Sequence, residues 1–211
     1  MKILSPDGKN TSEVVALLRS GGIVAHPADT CFGLAGDLMN EKALKKLQHI
    51  KGRDSSKPMS IMLPAYMKAM IEHYAILSDF ARSVCDALLP GPVTIVLPKG
   101  PEIPGYFFPE IDTIGIRMPY DLFTEDLLTQ FHGPLITTSA NHSGEPVCCN
   151  HLEVMEIFKN SKLKPDLLVE GKIQHDCMPS TVIKVEKNKV TILRDGPLNK
   201  EELESILGIR I

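Results

Sequence analysis

Lys51, Arg53 and Lys57 fall within LQHIKGRDSSKPMSIML, residues 47–63, between a segment of helical period and a short apolar run. A helix end normally holds its cations in its own last turn, whereas Arg53 and Lys57 follow Gly52 in a stretch of turn composition. Such an arrangement suits an anion approached from several directions, and a guanidinium fork matches phosphate or carboxylate oxygens. The competing reading is a solvated surface cluster.

A second polar group leaves an apolar run in PLITTSANHSGEP, residues 134–146. Ser139, Asn141 and Ser143 can donate to oxygens or read a base edge, or they can satisfy the turns of their own backbone. Arg117 sits late in TIGIRMP among apolar residues and must meet an acid or a ligand, because a buried unpaired guanidinium is expensive. Asp112 and Asp195 are the expected structural partners. Ser180 and Thr181 open the penultimate strand, and Arg194 closes the last.

Neither G-x-S-x-G nor the Walker A pattern occurs, which argues against a nucleophile elbow and an ordinary P-loop. Cys31 with His26 could be read as a nucleophile and base, but its apolar neighbours favour a small core residue. His142, Cys148, Cys149, His151, His175 and Cys177 could be assembled into a zinc set. Adjacent cysteines lack the usual C-x₂₋₄-C spacing, so these residues are read as unlinked core or loop positions. No protein metal site is expected; Mg2+ would arrive on nucleotide phosphates.

The 211 residues suffice for a full core, and 43% hydrophobic with 23% charged residues is ordinary for a folded domain. With 23 Lys and Arg against 26 Asp and Glu, the formal charge is −3, so a small polyphosphate fits the local cations better than a long duplex. Seven Phe, four Tyr and no Trp offer few base-stacking platforms. Five irregularly spaced cysteines and an N-terminus without a long apolar segment suggest a reducing cytoplasm. No apolar run approaches the roughly 20 residues of a membrane helix.

The elements that must carry these residues read as follows. A short strand at Lys2–Leu4 precedes a helix capped by Thr11 or Ser12 and ended by Gly21-Gly22; GIVAHP is a buried strand, and ADTCFGLAGD turns tightly beside a ligand or another backbone. Asn40 caps a helix leading to Lys51, and MSIML is a strand. Helical turns from Tyr66 to Tyr74 and a helix capped by Ser78 precede the strand TIVLP. Residues 99–112 form an irregular excursion whose Tyr106, Phe107 and Phe108 cover the core. The strand TIGIRMP, a helix Leu122–Phe131, the strand PLITTS, a helix Glu153–Phe158 and the strand LLVEG lead to a hairpin with Asn188 in its turn and a last helix, Glu201–Leu207. Short strands alternating with helices predict an α/β, α+β-like domain over residues 1–211, a twisted mixed β-sheet with helices packed around it.

In combination, GGIVAHPADTCFGLAGD, IKGRDSSKPMSIML, GPVTIVLP, TIGIRMP, PLITTSANHSG, PSTVIKV and ILRDG resemble the L-threonylcarbamoyladenylate synthases of YrdC-like fold in their short, single-domain form, without the C-terminal domain of longer members. The resemblance implies a central cationic cavity and a cytoplasmic nucleotidyltransferase. Such an enzyme combines L-threonine, bicarbonate or CO2, and ATP with Mg2+, and releases pyrophosphate. Its product feeds the proteins that make N6-threonylcarbamoyladenosine in tRNA; a weak tRNA or RNA contact is compatible with it. By the same resemblance Lys51 and Arg53 are catalytic and bind ATP or AMP together with Lys57, Ser139, Asn141 and Arg194, while Thr30, Arg117, Ser180 and Thr181 bind threonine or share the cavity. The chain departs from the family pattern Pro-Thr-Glu-Thr-Val-Tyr-Gly at Pro27-Ala28-Asp29-Thr30-Cys31-Phe32-Gly33, has Asp54 where Pro is common, and has Met62 where longer members often have His. Ala28 and Phe32 motivate the alternative of a carbamoyl or acyl transferase for another small amine; an RNA-binding or regulatory protein that keeps the cavity is the other alternative.

Overall fold

A computed structural model describes residues 1–6, 8–52, 58–173 and 176–211. The chain runs β1 (Lys2–Leu4), α1 (Gly8–Arg19), β2 (Val24–His26), β3 (Gly33–Asp37), α2 (Glu41–Lys51) and β4 (Ser60–Met62). A 3₁₀ turn (Ala65–Met70) then leads to α3 (Ile71–Tyr74), α4 (Asp79–Leu88), β5 (Val93–Pro98) and β6 (Thr113–Arg117). The remainder is α5 (Leu122–Phe131), β7 (Leu135–Ser139), α6 (His151–Phe158), β8 (Leu167–Val169), β9 (Thr181–Glu186), β10 (Lys189–Arg194) and α7 (Lys200–Leu207).

The strands form one mixed sheet in the order β1-β8-β2-β3-β7-β4-β6-β5-β9-β10, with helices around it, as the alternation of short strands and helices predicts. Parallel pairs (β1/β8, β2/β8, β4/β6, β5/β9) are interleaved with antiparallel ones, including the predicted C-terminal hairpin β9/β10. Among the described residues no helix is long and apolar enough to cross a membrane.

Because successive strand side chains point to opposite faces, the apolar strand residues divide into two cores. Ala25, Leu34, Ile61, Ile136 and Leu168 join α2 and α4 in one; their immediate neighbours Val24, Ala35, Met62, Leu135 and Leu167 join α1 and α5 in the other. Fully burying a side chain of this kind contributes roughly 1.5–3 kcal/mol, so a one-residue register slip would exchange the two sets and is strongly opposed.

Three local expectations change. Helix α1 begins at Gly8, and Thr11 lies inside it, its hydroxyl donating to Asp126 Oδ2 at 2.8 Å and tying α1 to α5 instead of capping. The tight segment predicted over ADTCFGLAGD ends at Phe32, and Gly33–Asp37 is a strand. Its small residues serve helix packing: a Cβ on Gly36 would lie 3.0 Å from Ile23 Cδ1 and 3.1 Å from Leu47 Cδ1. Helix α6 starts at His151, two residues earlier than read, because Asn150 accepts from Glu153 N and caps it.

The caps read at Asn40 and Ser78 are present. Asn40 accepts from Lys42 N and Ala43 N at the start of α2, Ser78 caps α4, and Gly52, at φ 55°, closes α2 in the left-handed region. Phe107 and Phe108 are buried edge to face, and Tyr106 donates to Leu38 O at 2.9 Å, so the 99–112 excursion covers the core as expected.

Candidate functional site

Helices α1 and α5 cover only part of their face of the sheet. On that same face the alternate positions of the neighbouring strands are small or polar: Ser60 on β4, Gly115 and Arg117 on β6, Thr94 and Val96 on β5, Thr137 and Ser139 on β7. They line a cavity of about 510 Å³, within the ~300–1,000 Å³ of small-molecule sites. Gly115 leaves its floor open of necessity, since a Cβ there would meet Ser60 Oγ at 2.5 Å.

Lys51, Ser139, Asn141, Thr30, Arg117, Ser180 and Arg194, drawn from six separate stretches of chain, all line this cavity. Lys51 is the last residue of α2 and is buried, 3% exposed. Its Nζ donates to Ser139 O at 2.8 Å, Asn141 O at 2.5 Å and Asn141 Oδ1 at 2.6 Å. Ser143 N donates in return to Lys51 O at 3.0 Å. The Lys51 and Ser-x-Asn segments, read separately in the sequence, are therefore one clasp, with a cation at a helix C-terminus where the macrodipole favours it.

Arg194, at the end of β10, donates through Nε and Nη2 to Ser180 O at 3.1 and 2.7 Å and through Nη2 to Ser180 Oγ at 3.1 Å. Ser180 Oγ also lies 2.7 Å from Thr94 Oγ1, both side chains being buried. Arg117 meets neither Asp112 nor Asp195. Its Nη2 donates to Asp29 Oδ1 at 2.5 Å, because the β2–β3 connection passes over the end of β6. Burial pushes the Asp29 carboxyl up in spite of that neighbouring guanidinium, and burial likewise raises the Cys31 thiol. Cys31 lines the cavity as a buried thiol, not the thiolate a nucleophile requires. His26, lowered by burial, turns Nδ1 to Pro27 O at 2.8 Å and has no hydrogen bond to Cys31.

Thr181 does not join the lining. Strand alternation turns it away from Ser180, and its hydroxyl donates to Leu198 O at 2.8 Å while accepting from Leu198 N at 2.9 Å. Arg53, Lys57 and Asp54 lie outside the described residues. The sequence reading missed Ser60, Thr94, Thr137 and Gly115; polar or small residues at every second place in otherwise apolar strands were the available signal.

Of the candidate zinc set, His175 lies outside the described residues, and two of the others are paired differently. Cys149 and Cys177 form a disulfide, with Cα atoms 5.6 Å apart, which neither their spacing nor the expectation of a reducing compartment anticipated. Ile173 N donates to Cys149 O and an Asn150–Lys172 bridge lies beside it, so backbone pairing brings the two loops together. Burial pushes the neighbouring Cys148 thiol up to about 12. Among the described residues no group of three His, Cys, Asp or Glu is placed to hold a metal.

A family model for Sua5, YciO and YrdC proteins, described as telomere recombination, matches residues 16–196. The chain is 36% identical over 208 residues to a protein of Methanocaldococcus jannaschii described as a putative threonylcarbamoyl-AMP synthase, covering 96% of this chain and 95% of that one. It is 31% identical over 195 residues to the threonylcarbamoyl-AMP synthase of Pyrococcus abyssi, covering 92% of this chain but 56% of that one. The crystal structure of P. abyssi Sua5 complexed with L-threonine superposes with a TM-score of 0.87 at 28% identity, over 99% of this chain and 61% of that one.

Proposed function

Because the chain belongs to the Sua5/YciO/YrdC family, we propose that it is a nucleotidyltransferase that makes L-threonylcarbamoyl-AMP and pyrophosphate from L-threonine, bicarbonate or CO2, and ATP. The observation that carries this reading is the convergence of Lys51, Ser139, Asn141, Arg117, Ser180 and Arg194 on one cavity. That hollow is of a size to take a small molecule, and its cations suit anionic reactants.

No protein nucleophile is needed. The amine of threonine adds to CO2, forming a C–N bond and releasing a proton to solvent; a carbamate oxygen then attacks the α-phosphorus of ATP, and the bond to the leaving pyrophosphate breaks. Lys51 and Arg194 offset the repulsion between the two anions. The bonds from Lys51 to Ser139 and Asn141, and from Arg194 to Ser180, hold these cations in place beforehand, and fixed donors that strengthen at the transition state contribute most. Ser139 and Asn141 are assigned to the nucleotide, Thr30, Arg117 and Ser180 to the amino acid or the shared cavity, and Arg53 and Lys57 to the triphosphate. Magnesium enters on the phosphate oxygens as part of the substrate. The adduct would pass to proteins that transfer the threonylcarbamoyl group to tRNA.

The direct test incubates the protein with ATP, magnesium, bicarbonate and L-threonine and identifies the adduct by mass. An adduct that requires all four, with pyrophosphate released alongside, is expected. Ala28 lines the cavity, whereas Phe32 is fully buried in the core, so of the two departures only Ala28 faces the cavity. An amino-acid panel reads its effect: an adduct with another small amine and none with threonine would move the substrate, and no adduct with any amine would overturn the reading.

A further inference from the structure

Among the described residues, buried side-chain polar atoms without a hydrogen-bond partner gather in one neighbourhood: His26 Nε2, Asp29 Oδ2, Thr30 Oγ1, Arg117 Nε and Asp121 Oδ2. They come from β2, the β2–β3 connection, the end of β6 and the residue capping α5. Buried polar atoms are nearly always paired in folded proteins, so a concentration beside a cavity calls for a reason.

The contact between Arg117 and Asp29 supplies one. A guanidinium and a carboxylate usually meet fork to fork, with two parallel hydrogen bonds. Here one corner is used: Nη2 reaches Asp29 Oδ1, while Nε and Oδ2, which a second bond would have satisfied, are both buried and unpartnered. The Asp29 side chain is fully buried and that of Arg117 is 10% exposed, and Arg117 and Thr30 line the cavity. The carboxylate thus stands behind the guanidinium.

We infer that Asp29 is a positioning residue, holding Arg117 by one corner so that its other donors meet a planar carboxylate-type anion in the cavity. The inference rests on the proposed reaction for the identity of that anion, which is either the carboxylate of the amino acid or bicarbonate. A guanidinium balanced from behind by a carboxylate keeps its directional donors but loses most of its net charge. It therefore favours a planar monoanion over a polyphosphate, leaving the triphosphate to cations elsewhere in the site. Thr30, next in sequence to Asp29, lines the same cavity.

The surroundings of Asp29 add a pH signature. Arg117 from β6, Asp121 from the start of α5 and the Cys31 thiol face it, and His26 on β2 is kept neutral by burial. Burial and Asp121 raise the Asp29 carboxyl, so acidification protonates it and weakens its hold on Arg117.

The test compares the wild-type protein with Asp29→Asn and Asp29→Glu. In Asp29→Asn the KM for threonine or for bicarbonate is expected to rise about tenfold, the loss of one charge-assisted interaction, while kcat and the KM for ATP stay within about threefold of wild type. Whichever KM moves identifies the anion. Asp29→Glu restores much of the loss, and the acid limb of that KM in the wild type flattens in Asp29→Asn. Unchanged KM values, or an equal rise for ATP, would overturn the inference. A second readout needs neither substrate nor activity: the ¹⁵N-resolved Nε–H signal of Arg117, followed by NMR, should shift as Asp29 titrates in the wild type and stop doing so in Asp29→Asn. A signal indifferent to that titration removes the positioning role even where the variants fold poorly. Absence of any adduct from the wild type sinks the proposed reaction and leaves the NMR result standing.

Discussion

Lys51 and Arg117 bring positive charge into the same cavity under opposite conditions. The Lys51 ammonium is held by the carbonyls of Ser139 and Asn141 and the Asn141 amide oxygen, which fix its place at the end of α2. The Arg117 guanidinium faces the Asp29 carboxylate, and both keep an unpartnered buried atom. One end of the cavity is thus an ammonium fixed by oxygens of the Ser139–Asn141 segment, and the other is a guanidinium–carboxylate pair with unmet buried atoms that supplies direction. A site that brings two anions together has use for both, since charge must be offset at the phosphate while the smaller reactant must be oriented.

The largest effect expected tests what holds the clasp. The loop that supplies the Lys51 acceptors runs into Cys149, joined to Cys177 across 28 residues. Closing a loop of that size stabilises a fold by about 3–4 kcal/mol in the chain-entropy treatment. Urea unfolding of Cys149→Ser/Cys177→Ser should lose that amount, and the Lys51 end should lose order before Arg117; an unchanged midpoint would mean that the bridge does not secure the loop.

Lys51→Met and Arg117→Lys contrast the two ends in turnover. Lys51→Met should cut kcat about 100-fold, close to 3 kcal/mol, as removal of a fixed donor does. Arg117→Lys keeps the charge but loses the fork, and its effect should fall on the KM of the carboxylate-type substrate. The same pattern from both variants in steady-state kinetics would erase the distinction between charge and direction.

On the pH axis the Arg117 end carries buried His26, whose imidazole is lowered by desolvation. Between its folded value and about 6.5 the unfolded chain binds the proton and the folded one does not, so stability falls as pH drops through that window, by at most about 1.4 kcal/mol per unit. His26→Asn, which can still donate to Pro27 O, should flatten the slope of urea midpoint against pH; an unaltered slope would assign it to other groups. The smallest effect concerns Thr181. Thr181→Val gives up two bonds to Leu198 and should cost about 1 kcal/mol of stability with turnover near wild type, whereas Ser180→Ala should slow turnover by loosening Arg194.

Much of the fold could be read from local signals. Asn40, Ser78 and Gly52 mark helix ends through hydrogen bonds made within a few residues, and the alternation in β4 to β7 follows from strand geometry alone. The site was legible as segments: Lys51, Ser139, Asn141, Arg117, Ser180 and Arg194 were each singled out, and they line one cavity. Thr181 was included with Ser180 because adjacency in sequence looks like adjacency in space, whereas a strand sends neighbours to opposite faces. The sequence reading pairs Arg117 with Asp112 or Asp195, whereas its partner Asp29 lies 88 positions away.

The sequence by itself determined most of the strands, the caps of α2 and α4, and which side chains have the chemistry to hold an anion, since these depend on short-range sterics and hydrogen bonding. Only the tertiary structure decided that Lys51 closes on Ser139 and Asn141, that Asp29 stands behind Arg117, and that Cys149 meets Cys177. Those pairings are set by the order in which the strands lie side by side, and that order is fixed by the burial of two opposed cores, a property of the whole chain that no single segment contains.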